Sequence, residues 1–234
     1  MTSTAAKPRA KVPPKPKAQR REETTTRILD AAEALFARDS LHGVTLKAVA
    51  KEAGVDTALL HYYFDDKNRL FSEVFGRRAD VVNRLRLESL ERYETEHGDA
   101  MTIGGAIDAF LRPLFLLFES GDPGWLHYAA LVAQVNNTPA WGGDTMRQHF
   151  DPVIHRFIGV LKRISPETPD RQVYWFYHLL SGALTLSLAQ TGRIDVLSDG
   201  LCRSSEMGAI CDAMETVFSG GFAAICQTSE GTSA

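Results

Sequence analysis

Cysteine is scarce in this sequence of 234 residues, and its few cysteines form no recognisable motif. Cys202, Cys211 and Cys226 are separated by nine and fifteen positions, so no CxxC pair occurs. No histidine stands near them at the spacing of a zinc site. The pattern argues against a structural metal or a disulfide framework. It favours free, buried thiols in a reducing cytoplasm, and no cofactor is expected.

Long apolar runs are rare as well. Residues 173–192 contain no Asp, Glu, Lys or Arg over twenty positions, but they include a histidine, a glutamine and two glycines. The N-terminus is basic and lacks the apolar segment of a secretion signal. We therefore expect a cytoplasmic protein with no membrane partner, in which 173–192 is a buried helix of the body or of a dimer interface.

Enzyme motifs and strand patterns are also missing. No GxSxG, P-loop, HExxH or GxGxxG segment occurs, and no stretch alternates apolar and polar residues. His149, Asp151 and His155 lie close together, but a proline follows Asp151 and their helical spacing suits one metal poorly. An all-α protein is predicted, and an enzyme is the least favoured class.

Charge is distributed unevenly although the net charge is only −3. Residues 1–21 carry +7 with no acid and several prolines, residues 22–69 carry −3, and residues 70–234 carry −7. We predict a disordered basic arm that attracts polyanions. The remaining chain would repel DNA unless it docked in one orientation.

Apolar residues recur at helical spacing from Thr24 onward. Thr45, Asp56 and the pair Asp65-Asp66 supply N-cap side chains, and Gly54 suits the left-handed residue that ends a helix. We predict helices from about 24 to the break at His42-Gly43, then near 46–53, 57–63, 67–96, 101–119, 124–136, 144–164, 170–191 and 204–222.

The helix predicted at 57–63 has the features of a DNA-reading helix. Such a helix needs small or hydrogen-bonding groups at its front, where base edges lie. Thr57 and Ala58 are its first exposed residues, and His61 follows one turn later on the same face. Lys47, near the start of the preceding helix, could reach a base edge or the DNA backbone. These residues predict a helix-turn-helix.

Groups suited to phosphate flank this reading face. Tyr62 and Tyr63 offer phenol hydroxyls, and Lys67 lies in the first turn of the next helix, where free N–H groups favour an anion. Each residue has an ordinary alternative. One tyrosine could be a core aromatic, His61 a plain surface histidine, and Lys47 and Lys67 solvated lysines.

Several segments carry a family resemblance: ILDAA at 28–32, GVT at 43–45, AGV at 53–55 and LHYYF at 60–64. With them, residues 27–75 resemble the N-terminal domain of the TetR family of bacterial repressors. The resemblance implies base contacts by Lys47, Thr57, Ala58 and His61. It implies phosphate contacts by Thr45, Tyr62, Tyr63 and Lys67.

Three positions depart from the family pattern. Asp56 replaces the usual serine at the recognition-helix cap, His61 replaces the usual tyrosine, and Tyr63 replaces a common histidine. Asp56 still caps the helix but adds negative charge near DNA. The operator sequence of relatives is therefore not transferable.

The remaining chain is rich in aromatic and aliphatic residues on amphipathic helices. Most of them are expected in the core and the dimer seam, but the surplus also predicts an apolar pocket oriented by a few polar groups, Arg112 among them. The segments 110–114 and 178–184 resemble a subgroup that includes fatty-acid-responsive repressors, which implies an elongated lipophilic or acyl effector. The candidate effector contacts are Phe110, Leu114, Phe118, Trp125, Tyr128, Gln134, Phe150, Tyr174 and His178.

The selectivity needed for one DNA site predicts a dimer. Each good contact of a reading helix discriminates against a wrong base by about 1–3 kcal/mol, and one such helix reads only a few base pairs. Selecting one site in a genome needs about 4–10 kcal/mol, which two copies can supply. The predicted organisation is a basic arm (1–21), a three-helix DNA-binding domain (22–71) and an effector-binding and dimerisation domain (72–228). We expect a homodimeric repressor, associated with the nucleoid when bound to a palindromic double-stranded DNA operator. A small lipophilic effector (acyl, steroid-like or aromatic) would release it. The alternative is a DNA-binding regulator or dimeric scaffold without an effector.

Overall fold

The computed structural model describes residues 16–138 and 142–228, and within these ranges the secondary structure is helical, without strands. The predicted all-α class is confirmed. The helices are α1 (Lys17–Gly43), α2 (Leu46–Ala53), α3 (Thr57–Phe64), α4 (Lys67–His97), α5 (Ile103–Glu119), α6 (Gly124–Asn136), α7 (Gly142–Ile164), α8 (Asp170–Leu188), α9 (Arg193–Leu197) and α10 (Met207–Thr228).

Helix α1 begins earlier than predicted. Its first residue is Lys17, so the extended or disordered state predicted for residues 1–21 is wrong for 17–21. Residues 1–15 of that arm lie outside the described residues. Lys, Ala, Gln, Arg and Glu in the first turns are good helix formers, and they extend the helix although no core covers them. The chain kinks at Ser40, whose φ of 62° is left-handed, just before the break predicted at His42-Gly43.

Helices α1, α2 and α3 form a compact unit, called the head below. Ile28, Ala32 and Phe36 of α1 meet Val49 of α2 and Leu60 of α3 in a buried cluster. The three α1 residues recur at intervals of four, so one stripe of the helix faces inward. The stripe fixes how α2 and α3 are presented on the opposite side.

Helix α4 connects the head to the helices α5 to α10, called the body below. It packs on α1 at one end and on α5 and α7 along its length, and α6 touches α1 as well. One continuous apolar core therefore runs from Ile28 in the head to Phe222 in α10. Helix α4 is therefore packed against both the head and the body.

The body differs from the prediction around α9. Helix α8 ends at Leu188 and α10 starts at Met207, while a short helix occupies part of the gap. Gln190 and Gly192 adopt left-handed φ values of 44° and 67°, which stop α8. Because α9 has only five residues and leaves Val196 and Leu197 exposed, it has no apolar period that a sequence pattern could reveal.

Two helices bear on the question of a membrane. By length and composition alone, the stretch Met207–Cys226 of α10 could cross one, with a mean hydropathy of 1.3 and 17% of the stretch buried. The region 173–192 lies mainly in α8, which is buried on one side through Val173, Phe176 and Leu180. Both helices leave an apolar side uncovered in a single chain.

Candidate DNA-binding surface and interior cavity

The turn between α2 and α3 is fixed by the predicted caps. Thr45 Oγ1 accepts a hydrogen bond from Ala48 N at 3.2 Å, and Asp56 Oδ1 accepts one from Ala58 N at 2.8 Å. Gly54 ends α2 with a φ of 64°, a conformation that only glycine adopts without strain. These local bonds set the angle between α2 and α3 within the head.

The four predicted base-reading residues lie on the outer side of the head. Lys47, Ala58 and His61 are exposed, and Thr57 is half-buried. His61 Nδ1 lies 3.1 Å from Asp65 O, and a carbonyl oxygen can only accept. In the neutral ring Nε2 is then an acceptor, which suits an adenine or cytosine amino group.

The two tyrosines differ in their surroundings. Tyr62 is 73% exposed and free to reach a phosphate, whereas Tyr63 is half-buried against the apolar cluster. Arg21 lies over the Tyr63 ring at 5.5 Å from its centre. Arg21 had been predicted in the disordered arm, so its role in supporting the recognition helix was missed.

Lys67 has a structural partner. Its Nζ donates to Val44 O at 3.0 Å, which ties the first turn of α4 to the start of α2. An ammonium group has three donors, so two remain for a phosphate. Thr45, the other predicted phosphate contact, is exposed beside this tie.

A buried ion cluster joins the head to α4. The helical period of α1 predicts Glu33 on the solvent side, opposite the apolar stripe, but Glu33 is only 2% exposed, so that prediction is wrong. Its Oε2 accepts from Arg77 Nη2 at 2.5 Å and from Arg78 Nε at 3.1 Å, and its Oε1 accepts from Arg78 Nη2 at 3.1 Å. The sequence showed Glu33 as one of several polar residues on α1 and gave no sign of its partners.

Arg78 extends this cluster to the loop before α6. Its Nη1 donates to Asp122 Oδ2 at 2.6 Å, and its guanidinium lies 4.6 Å from the centre of the Trp125 ring. Burial lowers the pKa of Arg78, but the hydrogen bonds to Glu33 and Asp122 outweigh it, and the net shift is upward. Three segments of the chain therefore meet at one charged group.

The body encloses a cavity between α4, α5, α6, α7 and α8. The predicted contacts Phe110, Leu114, Tyr128 and Phe150 line it. The empty space between the lining side chains, including the opening to solvent, is about 520 Å³, of which about 40 Å³ is open to the centres of water molecules. The second figure leaves room for about three waters.

The other five predicted effector contacts lie elsewhere. Phe118 packs on Phe115, Trp125 stacks with Arg78, and Gln134 donates to Ala37 O in α1 at 2.9 Å. Tyr174 and His178 are exposed on α8. Arg112 binds Asp108 and Asp212 near the surface between α5 and α10. Residue type could not tell which side of each helix faces the cavity.

Polar cavity residues that were not among the predicted effector contacts are Arg86, Asn136, Tyr177, Ser181 and Thr185. Arg86 gave a signal in the sequence, because it falls at a position of α4 in register with the buried Ala79, Val82 and Leu90. Its Nε donates to Phe110 O at 2.9 Å, and its guanidinium lies 4.2 Å from the centre of the Phe110 ring.

One side of the cavity is a polar wall. Asn136 Nδ2 donates to Thr185 Oγ1 at 2.9 Å, and Thr185 Oγ1 donates to Ser181 O at 2.8 Å. The same three residues also line an outer groove together with His178 and Gly182. Ser181 and Thr185 thus lie between the cavity and this groove.

The cysteines and candidate metal ligands form no centre in the part of the chain that the structure describes. Cys211 is buried and Cys226 is partly buried, but Cys202 is exposed, contrary to the prediction of three buried thiols. Within residues 16–138 and 142–228, no group of three His, Cys, Asp or Glu side chains is placed to hold a metal ion.

Two family models match the chain. One, described as bacterial regulatory proteins of the tetR family, matches residues 28–74. The other, described as tetracyclin repressor-like, C-terminal domain, matches residues 108–221. The first covers the head from the middle of α1 onward and the start of α4, and the second covers most of the body.

Individual proteins are similar over parts of the chain. The HTH-type transcriptional regulator AcrR of Shigella flexneri is 32% identical over 85 residues, which are 36% of this chain and 38% of that protein. IcaR of Staphylococcus aureus, the negative transcriptional regulator of the biofilm operon icaADBC, is 25% identical over 114 residues, 48% of this chain and 54% of that protein. The alignments thus span less than two thirds of these relatives.

A solved structure has the same fold. A TetR-family transcription regulator from Shewanella sp. PV-4 superimposes with a TM-score of 0.60 at 14% identity, covering 85% of this chain and 97% of that one. At this identity the match supports the arrangement of helices alone.

Proposed function

The chain belongs to the TetR family of bacterial regulatory proteins, and on that premise we propose that it is a homodimeric transcriptional repressor. A small lipophilic effector releases it from a palindromic DNA operator. The observation that carries the proposal is that α4 links an exposed reading face to an interior cavity. The domain division at 21 and 71, placement in the cytoplasm and association with the nucleoid when DNA-bound belong to the same proposal.

Two features support the DNA-binding part. The exposed set of Lys47, Ala58 and His61, with half-buried Thr57, provides hydrogen-bonding and small groups at the front of α3. Tyr62 is free to hold a phosphate beside them. Since the head as a whole is not basic, orientation and not net charge must bring α3 to the groove.

The uncovered sides of α8 and α10 support pairing with a second copy. Trp175, Leu179 and Leu186 are exposed at helical spacing on α8, and Val217 is exposed on α10. Apolar side chains in such a row are stabilised when they pack against an identical row across a two-fold axis. We assign α8 and α10 to a four-helix dimer interface, which places two heads for two half-sites.

The release mechanism follows from the continuous core. An occupant that forces α4 away from α5 or α7 also moves the head, because α4 and α6 both pack on α1. If the occupied state holds the two heads at a spacing that does not fit the half-sites, effector binding shifts the population off DNA.

Gel-shift titrations with a fragment of the chain's own promoter, against scrambled DNA at several salt concentrations, test this function. His61→Ala should reduce the preference for operator while retaining most binding to scrambled DNA. Tyr62→Phe should weaken both about equally, and its exposure makes it a cleaner phosphate probe than Lys67, which also holds Val44. Binding that is equal on both DNAs for the unmodified protein would overturn the proposal.

A regulator or dimeric scaffold with no effector is the second candidate. The small space open to water, about 40 Å³, favours it. A thermal-shift screen of acyl, aromatic and steroid-like compounds separates the two, because any ligand that binds only the folded state raises the melting temperature. Absence of any shift at saturating concentrations would favour the effector-free version.

A further inference from the structure

Within the described residues, Arg86 is a buried cation without an anionic partner. The residue is 4% exposed, and its Nη2 is buried with no hydrogen-bond partner. Its hydrogen bond runs from Nε to the carbonyl of Phe110, a neutral acceptor. Among the cavity-lining residues there is no Asp or Glu.

The charge on Arg86 persists at neutral pH. Burial lowers the pKa of the guanidinium to about 10, which leaves it protonated under physiological conditions. A buried, unpaired charge is costly, and proteins normally neutralise it with a carboxylate or hydrogen-bond all its donors. Since the described part of the chain supplies no carboxylate to this cavity, the Arg86 guanidinium can bind an external anion.

The surroundings of Arg86 suit the rest of such a ligand. Tyr128 also lines the cavity, and its buried hydroxyl has no hydrogen-bond partner, so it can donate to the same anion. Val82, Leu114 and Phe150 form apolar walls nearby. A single cation, a single free hydroxyl and apolar walls match one charged head on an apolar tail.

We infer that the cavity binds a small organic monocarboxylate, whose head is held by Arg86 Nη2 and Tyr128 Oη and whose apolar part lies against Val82, Leu114 and Phe150. This deepens the proposed function, on which it rests, by naming the class of effector. A monoanion is specified because one guanidinium neutralises one charge, and a phosphate monoester would bury a second. The small free space selects short or compact acids unless the walls move.

Binding to the full-length protein, measured by calorimetry and thermal shift without DNA, tests the inference. The probes are straight-chain acids from acetate to octanoate and benzoate, each with its matched primary alcohol. An alkyl phosphate is included as the other anionic head. The acids should bind, with an optimum at one chain length, and each alcohol should bind on the order of tenfold or more weakly.

Variants locate the head of the ligand. Arg86→Met should reduce carboxylate affinity by on the order of tenfold or more, and Tyr128→Phe should reduce it less. Arg84→Met is the matched control on the same helix, because Arg84 is exposed and pairs with Glu88, and it should leave binding unchanged. The acid-against-alcohol comparison needs no variant, so it decides the question even if a substitution impairs folding.

Three results would overturn the inference: alcohols that bind as well as acids, an Arg86→Met protein that binds acids as the original does, or an alkyl phosphate that binds while acids do not. Acids that bind through Arg86 but leave the protein on DNA would support the inference and count against effector-controlled release. Neutral compounds that release DNA where acids fail to bind would do the reverse.

Discussion

Two buried ions in this protein have opposite surroundings. Glu33 is surrounded by donors from Arg77 and Arg78, while Arg86 has a neutral carbonyl, an aromatic ring and one unpartnered nitrogen. A buried charge whose partners all come from the chain is part of the fold. One that lacks them is costly to the fold and useful for binding, because a ligand of opposite charge removes the cost. By this criterion the cluster of Glu33, Arg77 and Arg78 is a structural joint between the head and α4, called the joint below, and Arg86 is a candidate sensor.

Both buried ions involve helix α4, because Glu33 of α1 binds Arg78 of α4 and Arg86 is itself part of α4. Arg78 and Arg86 of α4 are eight residues apart, which places them about 12 Å from each other along the axis. The first is tied to the head through Glu33, and the second faces the cavity. An anion drawn to Arg86 would therefore act on a rigid element that is anchored to the head two turns away.

The largest effect is expected from Glu33→Gln. The change leaves the half-buried Arg77 and Arg78 with a neutral partner at position 33, although Asp30 and Asp122 still contact them. We expect the free energy of unfolding to fall by about 3 kcal/mol, at the low end for a broken buried pair. Urea unfolding at fixed protein concentration measures it. Asp30→Asn, at the exposed edge of the cluster, is the control and should cost less than about 1 kcal/mol.

Gly124→Ala should disrupt the same joint by adding a side-chain atom where there is no space for one. A Cβ at this position would lie 1.7 Å from Arg78 Nη2 and 2.7 Å from Glu33 Oε1, so the ion cluster must move. A loss of about 1–3 kcal/mol is expected. Gly143→Ala, where no described atom beyond its chain neighbours and its own helix backbone lies within 4 Å of the new Cβ, should instead be neutral or stabilise α7 by up to about 1 kcal/mol. Equal thermal stability of the two variants would contradict this expectation, because it would mean that Arg78 and Glu33 accommodate the new Cβ at little cost in free energy.

Arg86→Met should have the opposite sign to Glu33→Gln. Removing an unpaired buried charge and filling its place with an apolar chain should leave stability unchanged or raise it by about 1–2 kcal/mol. Chemical denaturation in the absence of ligand measures the change. A decrease of more than about 1 kcal/mol would mean that Arg86 is as much a part of the fold as Glu33, and the contrast between the two ions would be lost.

The smallest effect is expected from Asp122→Asn. The hydrogen bond from Arg78 holds the pKa of Asp122 below its ordinary value of 3.8. Its stabilising contribution is therefore present above about pH 4 and is lost as the pH falls through the lowered pKa. Because the side chain is about half exposed, the difference should stay under about 1 kcal/mol at neutral pH and vanish in strong acid. A difference that persists unchanged at low pH would contradict the charge assignment.

The sequence predicted best what is determined locally. Thr45, Gly54 and Asp56 mark the turn between α2 and α3 through side-chain and backbone bonds a few residues long, and α6 has the predicted bounds of 124–136. What failed depended on distant packing. Glu33 is buried only because two arginines of α4 lie opposite it, 44 and 45 residues away in sequence.

The cavity shows the same limit. Trp125 and Gln134 have the chemistry of ligand contacts, but they face the joint and α1. Tyr128, on the same helix as both, faces the cavity. Only the relative rotation of α6 against its neighbours decides between these outcomes, and composition does not encode it directly. Arg86 was not predicted either, but it could have been found, since a charge at a buried position of α4 is visible in the helical pattern.

The wall formed by Asn136, Ser181 and Thr185 has a consequence for timing. Because these residues separate the cavity from the outer groove, a molecule that passed between the two through this wall would have to break the hydrogen bond from Asn136 to Thr185, here called the latch. The opening frequency of the latch would limit uptake and escape equally, whereas the interior contacts determine affinity. A regulator built this way could change its speed of response by substitution at position 136 or 185 while its sensitivity, determined by the interior, stayed the same.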